Sequence, residues 1–323
     1  MSQKNLNVSN KTHKFLLNKL KDKQTFQIYE KFEKFLDVDE DLIVAVSGGA
    51  DSLALSFLAK IYSIKKNLNV KYIIVDHKLR DNSTLEINFV KKQLKKISIN
   101  LNVLTWHGPK PKKNIQSLAR EKRYKLLVNE AKKYKIKNIL LGHHLDDLFE
   151  NFFIRMLRGS GLNGLVSLGK KTQNEKVNLI RPLLNFDKKN LVYLSKYIFG
   201  SFVKDPSNKD DKFKRVKVRN LLKQLEIEGL DRNKLFLTIK NLKSANENIN
   251  FYTKKNLTEN TFLFKKKDSV ILNNFFFNHS SEVVFRSLTE IIKLVGKKYY
   301  PSRGKKIDEV VQLINTKSSF KVT

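Results

Sequence analysis

Six consecutive residues, Ser47-Gly48-Gly49-Ala50-Asp51-Ser52, have the chemistry of a phosphate-binding turn. Two glycines let the backbone take positive φ and come close to a ligand, and Ser47 and Ser52 add hydroxyl groups. Between an apolar strand and a helix, such a turn aims its N–H groups at one point where the helix dipole favours an anion. The segment has neither the Gly-x-x-x-x-Gly-Lys-Ser/Thr pattern of kinases and GTPases nor the Gly-x-Gly-x-x-Gly of dinucleotide folds. Asp51 stands where a lysine would be. A carboxylate beside a polyphosphate makes sense with a divalent cation between them, so Mg²⁺ is implied, with Asp51 among its ligands. The plain alternative is an ordinary strand-to-helix turn capped by Asp51 or Ser52. The strand-turn-helix setting favours the phosphate site.

A second cluster, Gly142-His143-His144-Leu145-Asp146-Asp147-Leu148-Phe149-Glu150-Asn151, gathers two imidazoles and three carboxylates at a strand end and helix start. Asp146 and Glu150 share one helical face, Asp147 and Asn151 the next, with Leu148, Phe152 and Phe153 anchoring the other side. A single Asp at a helix start is usually a dipole-compensating cap. This many polar groups at a ligand edge exceed that need. No His pair is spaced one helical turn apart, so zinc fits poorly and Mg²⁺ or phosphate contacts fit better.

Basic residues surround these clusters. Arg120 and Arg123 lie one helical turn apart, where a solvated face is the default reading. Arg155 and Arg158 run into Gly159-Ser160-Gly161 and Asn163-Gly164-Leu165, either an anion clamp or a glycine cap. Asp205-Pro206-Ser207-Asn208-Lys209-Asp210-Asp211 has the residues of a surface loop, and Lys212, Lys214, Arg215, Lys217 and Arg219 follow it. Acids next to a cationic helix also suit a site that handles both an amine and a polynucleotide.

These residues need a scaffold, and the hydrophobic pattern predicts one. Apolar strands at Leu42–Val46, Val70–Val75, Leu101–Trp106 and Asn138–Leu141 alternate with helices at Leu53–Ile64, Thr84–Ile97, Ile115–Tyr134 and Asp146–Leu157. Near-continuous Val, Ile and Leu runs between helices predict an α/β fold, a parallel sheet with helices on both faces. Ligands of such sheets sit at the carboxyl ends of the strands, where the Ser47 turn, Asp76-His77 and His143-His144 all fall. An amphipathic Lys-rich segment, Phe15 to Phe35, precedes them. An apolar run, Leu179–Leu184, and a helix, Phe186–Ile198, follow. Beyond Ile227, Leu235–Tyr252 and Glu282–Val295 read as helices without alternating strands, with a short β excursion between Phe262 and Phe277. The expected division is an α/β domain over residues 1–226, with its core at about 40–220, and a smaller, mostly helical domain over residues 227–323.

Lys+Arg number 64 against 31 Asp+Glu, a formal net charge of +33, which points to a polyanionic partner such as a nucleic acid, RNA or DNA alike. The chain is also rich in Lys, Asn, Ile and Phe together, so part of that excess is compositional. With no cysteine in the sequence, disulfides, zinc-thiolate sites, iron-sulfur clusters and cysteine nucleophiles are excluded. No apolar run is long enough for a membrane span and the N-terminus has no signal-peptide pattern, so a cytoplasmic location without membrane partners is expected.

The Ser-Gly-Gly-x-Asp-Ser signature resembles that of the N-type ATP pyrophosphatases, a PP-loop superfamily that cleaves ATP between its α- and β-phosphates. The ordered set Ser47–Ser52, Asn114–Tyr124, Gly142–Asn151, Arg158-Gly159-Ser160-Gly161, Arg181-Pro182-Leu183-Leu184, and Asp205-Pro206-Ser207-Asn208 with Arg215 and Arg219 resembles one branch, the tRNA(Ile)-lysidine synthases. The likeness is strong over Leu42–Asn220 and looser over Phe285–Gln312, where Pro301-Ser302-Arg303 falls in that family's helical substrate domain. The resemblance implies a ligase that adenylates the wobble cytidine of isoleucine tRNA bearing a CAU anticodon, then joins free L-lysine to it. It implies ATP at Ser47, Gly48, Gly49, Ala50, Asp51 and Ser52, and catalytic roles for Asp51, Arg120, His143, Asp146, Asp147 and Glu150. It places tRNA and lysine at Arg123, Arg158, Asp205, Asn208, Arg215 and Arg219, and Mg²⁺ at Asp51 and Asp147. Longer members carry a further small C-terminal domain with no counterpart expected here, and a homodimer is left open. The alternatives are another amidating or tRNA-modifying enzyme of this superfamily, or a non-catalytic RNA-binding protein.

Overall fold

The computed structural model describes residues 3–78, 82–108, 115–204, 214–264, 269–297 and 304–316. Strand β1 (Leu42–Val46) occupies the middle of the main sheet because it is apolar on both faces. Its alternation sends Leu42, Val44 and Val46 into one apolar cluster and Ile43 into another on the opposite side. The first cluster is filled by α2 (Lys23–Phe35), α3 (Ala50–Lys66), α4 (Ser83–Lys95) and α8 (Lys188–Phe199), through Phe32, Phe57, Val90 and Leu194 among others. The second is covered by α5 (Ile115–Lys133) through Leu127, Val128 and Ala131.

The other strands are β2 (Val70–Asp76), β3 (Leu101–Thr105), β4 (Asn138–Leu140), β5 (Lys171–Asn174) and β6 (Val177–Ile180). They assemble in the order β3-β2-β1-β4-β6-β5, parallel throughout except for β5, which runs antiparallel to β6. Val44 is registered against Tyr72 on one side and Leu140 on the other. The chain winds outward from β1 in both directions, so the crevice at the carboxyl ends of β1 and β4 is the switch point where such sheets hold ligands. The expected parallel sheet with helices on both faces is therefore present.

Three local features go beyond what the hydrophobic pattern announces. The segment Phe15–Phe35 is two helices, α1 (Gln3–Leu20) and α2, because Asp22 breaks it and caps α2 by accepting from Thr25 N at 2.8 Å. The run Leu179–Leu184 is a strand only to Ile180, after which Leu184 N returns to Arg181 O in a turn. Edge strand β5, Lys-Thr-Gln-Asn, has no apolar alternation to announce it and is fixed by pairing with β6.

Residues 1–160 and 167–230 form one compact unit, and residues 161–166 and 231–323 form another. The first unit ends with α9 (Lys214–Ile227), which packs on α6 (Leu145–Met156). The second contains the short α7 (Leu162–Leu165) and the 29-residue α10 (Arg232–Asn260), whose first turn is capped by Asp231. After α10 come a hairpin of β7 (Thr261–Phe264) and β8 (Ser269–Leu272), then α11 (Ser281–Val295) and α12 (Gly304–Thr316). Its apolar core is Phe276, Val284, Leu288, Ile291 and Ile307. Around that core runs a polar seam. Asn256, fully buried, donates to Phe276 O and Ser287 Oγ and accepts from Asn260, while Arg286 reaches Glu282, Asn246 and Asn250.

Candidate active site

The turn after β1 is held from within. Ser52 Oγ donates to Gly49 O at 3.0 Å and accepts from Ser47 N at 3.1 Å, so this hydroxyl fixes the loop's shape rather than lying open. Gly48 has φ +82°, and a Cβ there would lie 2.6 Å from Val90 Cγ2. Its carbonyl accepts from Val203 N, tying the turn to the segment after α8. Gly49, the N-cap of α3, offers no side-chain cap, so N–H groups of the first turn remain for a ligand. Gly142 sits 3.4 Å, measured from an added Cβ, from the backbone of Asp51 and Ser52, bringing the end of β4 against the start of α3.

That close approach places the two sequence clusters together. His144 caps α6: its Nδ1 accepts from Asp146 N at 3.2 Å, and Asp147 Oδ2 accepts from His144 N at 3.0 Å. An accepting Nδ1 assigns the ring proton of a neutral His144 to Nε2. Nε2 lies 3.6 Å from Asp51 Oδ2 and 3.5 Å from Asp147 Oδ2, so one imidazole bridges the two carboxylates. Burial raises the Asp51 carboxyl against the opposing pull of His144 and Lys188, and its buried Oδ1 has no hydrogen-bond partner. Burial works on Asp147 in the same direction, but His144, His143, the His144 N–H and Arg215 outweigh it and hold Asp147 below its ordinary value.

A cleft of about 100 Å³ lies over these groups, lined by Ser47, Asp51, Ser52, Arg123, Gly142 and His143 with apolar strand residues. A neighbouring cleft of about 210 Å³ shares Val46, Ser47, Val75 and Arg123 with it and adds Asp76, His77, Ser83 and Glu86. His143 Nδ1, His77 Nδ1 and Arg123 Nε are buried in these walls without partners. His143 is pushed down to about 3, by burial first, with Asp147 opposing and Arg120, Arg181 and Arg123 adding to the effect. Arg120 is lowered by burial, and Arg123, Arg215 and Arg181 press it further down. The site is thus a buried field of positive charge facing two carboxylates, suited to a polyanion.

Of the residues singled out in the sequence, Ser47–Ser52, Arg120, Arg123, His143, Asp146 and Asp147 converge on this edge. Arg215, on α9, reaches toward it with Nη1 3.9 Å from Asp147 Oδ1. Glu150 is one turn deeper, buried, and paired with Arg219 of α9 at 2.5 Å. Arg158 is not brought there: it lies exposed beyond the far end of α6, roughly 18 Å from Asp146 at 1.5 Å per residue. Asp205, Asn208 and the rest of Asp205–Lys212, with Asn114 and Pro301-Ser302-Arg303, lie outside the described residues. Residue spacing announces neither the bridging role of His144 nor the burial of Arg181 beside Tyr124. Their one signal in the sequence is that both fall within motifs that carry the family resemblance.

Among the described residues no three His, Cys, Asp or Glu side chains gather to hold a metal. Asp51 and Asp147 nevertheless suit Mg²⁺, which is commonly bound through one or two carboxylates with substrate phosphates and water filling the other positions. The unpartnered Asp51 Oδ1 is the atom such an ion would satisfy.

The chain matches the PP-loop domain family over residues 19–226. A tRNA(Ile)-lysidine synthase of Orientia tsutsugamushi is 33% identical over 277 residues, covering 84% of this chain and 63% of that protein. The enzyme of the same name from Bradyrhizobium diazoefficiens is 36% identical over 214 residues, covering 66% and 59%. That from Rickettsia felis is 30% identical over 307 residues, covering 92% and 70%. This chain therefore spans less than two thirds of the first two relatives. Among solved structures, the U34-tRNA thiolase NcsA from Methanococcus maripaludis aligns with a TM-score of 0.60 at 20% identity, covering 69% of this chain and 79% of that one. That likeness concerns the fold. Among the described residues no helix is long and apolar enough to cross a membrane.

Proposed function

Since this chain belongs to the PP-loop family and, within it, to the tRNA(Ile)-lysidine synthases, we propose that it is a cytoplasmic ligase that uses ATP to join free L-lysine to the wobble cytidine of isoleucine tRNA with a CAU anticodon. The reaction has two steps. The cytosine's position-2 oxygen attacks the α-phosphorus of ATP and expels pyrophosphate. The lysine ε-amine then attacks carbon 2, loses a proton, and expels AMP.

The Ser47–Ser52 turn and the open N–H groups of α3 hold the β- and γ-phosphates. Asp51 and Asp147 hold Mg²⁺, which when bound neutralises phosphate charge. Arg120 steadies the five-coordinate phosphorus, where charge builds in the transition state. The ε-amine has an ordinary pKa near 10.4 and must lose its proton to react. His143, kept neutral by burial that pushes it down to about 3, is too weak a base to take that proton and instead accepts a hydrogen bond from the amine. Glu150 acts through Arg219, fixing α9 so that Arg215 faces Asp147. Residues 227–323 contribute the tRNA-binding surface, in keeping with the excess of basic residues.

One observation carries this reading: arginines and a neutral imidazole crowd a cleft lined by the turn after β1, with Asp51 Oδ1 unpartnered among them. The test measures pyrophosphate released from ATP by the full chain with lysine and isoleucine tRNA. Release that requires both supports the proposal. Release that needs ammonia instead, or proceeds without tRNA, identifies a small-molecule amidating enzyme, and RNA binding without release identifies a binding protein.

A further inference from the structure

Two residues beside the cleft have no part in the reaction just described. Arg181 follows β6 and is 5% exposed. Its Nη1 donates to Gly169 O at 3.0 Å and Thr172 Oγ1 at 3.1 Å, which fixes the guanidinium against the β5–β6 hairpin. Its Nε is left without a partner. Tyr124 of α5 lies next to it and interacts with it electrostatically, yet the buried Tyr124 hydroxyl completes no hydrogen bond. Over the Tyr124 ring stand two more guanidinium groups, Arg120 with Cζ 5.1 Å from the centroid and Arg123 at 5.5 Å.

Arginine side chains are long, and a catalytic one loses effectiveness when it samples several rotamers. Here the ring attracts Arg120 through its face, while the fixed charge of Arg181 repels it. Arg123 and Arg215 repel it too. A cation held on one side and pushed from the others is confined to the direction that remains. Resting on the ligase reading for the identity of the phosphate, we propose that Arg181 and Tyr124 are positioning residues that aim Arg120 at the phosphate under attack. Neither needs to touch the nucleotide, which accords with Arg181's depth and its two bonds to neutral oxygens.

The proposal separates from a purely structural role of Arg181 as the pin of the β5–β6 hairpin, because Thr172→Val weakens the pin alone. Two readouts serve on the full chain. The first is the Nε–H resonance of Arg120 in arginine-labelled protein, identified by its loss in Arg120→Lys and independent of turnover. The second is steady-state pyrophosphate release with ATP, lysine and tRNA. Tyr124→Leu, which removes the ring face, and Arg181→Gln, which removes the charge, are expected to move the Arg120 resonance and lower kcat about tenfold, with KM for ATP changing less than about twofold. Thr172→Val is expected to leave both unchanged. An Arg120 resonance that stays put in Tyr124→Leu and Arg181→Gln overturns the proposal, as does Thr172→Val reproducing the kcat loss. Should wild-type protein release no pyrophosphate, the ligase reading fails, and the resonance alone still decides whether Arg120 is aimed in this way.

Discussion

Arg181 and Arg286 are buried almost equally, 5% and 9% exposed, yet their surroundings differ in kind. Arg286, in the helical unit, meets the Glu282 carboxylate and two amide oxygens, so its charge is compensated where it lies although its buried Nη2 has no hydrogen-bond partner. Arg181, beside the cleft, has only a carbonyl and a hydroxyl, and its nearest charged relatives include Arg120. Burying an uncompensated cation costs stability unless a ligand supplies the missing anion. One interior therefore uses its polar groups for cohesion. The other keeps them unpaired for an occupant.

If that contrast holds, unpaired groups should govern function and paired ones stability. The largest effect is expected for Asp51→Asn, which should lower turnover about a thousandfold, the scale of losing a preorganised electrostatic contact. Because burial raises the Asp51 carboxyl in the fold, its charge opposes folding at neutral pH, and the same variant should melt a few degrees higher. Lower melting together with retained turnover would contradict both halves. Next comes Glu150→Ala: burial raises the Glu150 carboxyl against the pull of Arg219, so the charge itself adds little, but the truncation leaves a buried gap and strips Arg219 of this partner and should cost about 3 kcal/mol in denaturant unfolding. Glu282→Ala should cost under about 1 kcal/mol, since Glu282 is half exposed and Arg286 keeps its amide partners. Equal losses would show that pairing depth is not what distinguishes the two.

In the helical unit, Asn256→Ala removes bonds to Phe276 O and Ser287 Oγ and should destabilise by about 2 kcal/mol without altering nucleotide affinity measured by calorimetry. The remaining effect concerns pH. His143 takes up a proton near 6.5 in the unfolded chain and only near about 3 in the fold. Within that window the unfolded state binds more protons, so its contribution to stability is complete above 6.5 and is lost as pH falls toward 3. The melting temperature of His143→Gln should accordingly fall less between pH 7 and pH 5 than that of the wild type. Parallel curves would remove His143 from the account.

The sheet was largely legible because β1, β2 and β4 are short apolar runs with helices between them, a pattern that buried parallel strands require. Strand β5 was not, since an exposed edge places no demand on Lys171–Asn174 beyond pairing. Helix α10 continues eight residues past the expected Tyr252 because its inner face there is polar, with Thr253, Asn256 and Asn260 all buried. At the site, the turn and the acid cluster stood out by spacing. His144's bridge between Asp51 and Asp147 did not, because it depends on the close approach that Gly142 permits between two distant segments. The order Glu150 behind Asp147 follows from how α9 packs on α6, which no periodicity within α6 encodes.

The excursion of Gly161–Val166 has a practical corollary. Asn246 of α10 donates to Asn163 within this six-residue detour, while the chain on either side of it returns to the sheet. A cut at Leu230 would thus leave a loop in the amino-terminal fragment shaped for neighbours it no longer has. Grafting the helical portion onto another relative should succeed only when residues 161–166 travel with it, as a splice of two pieces rather than one.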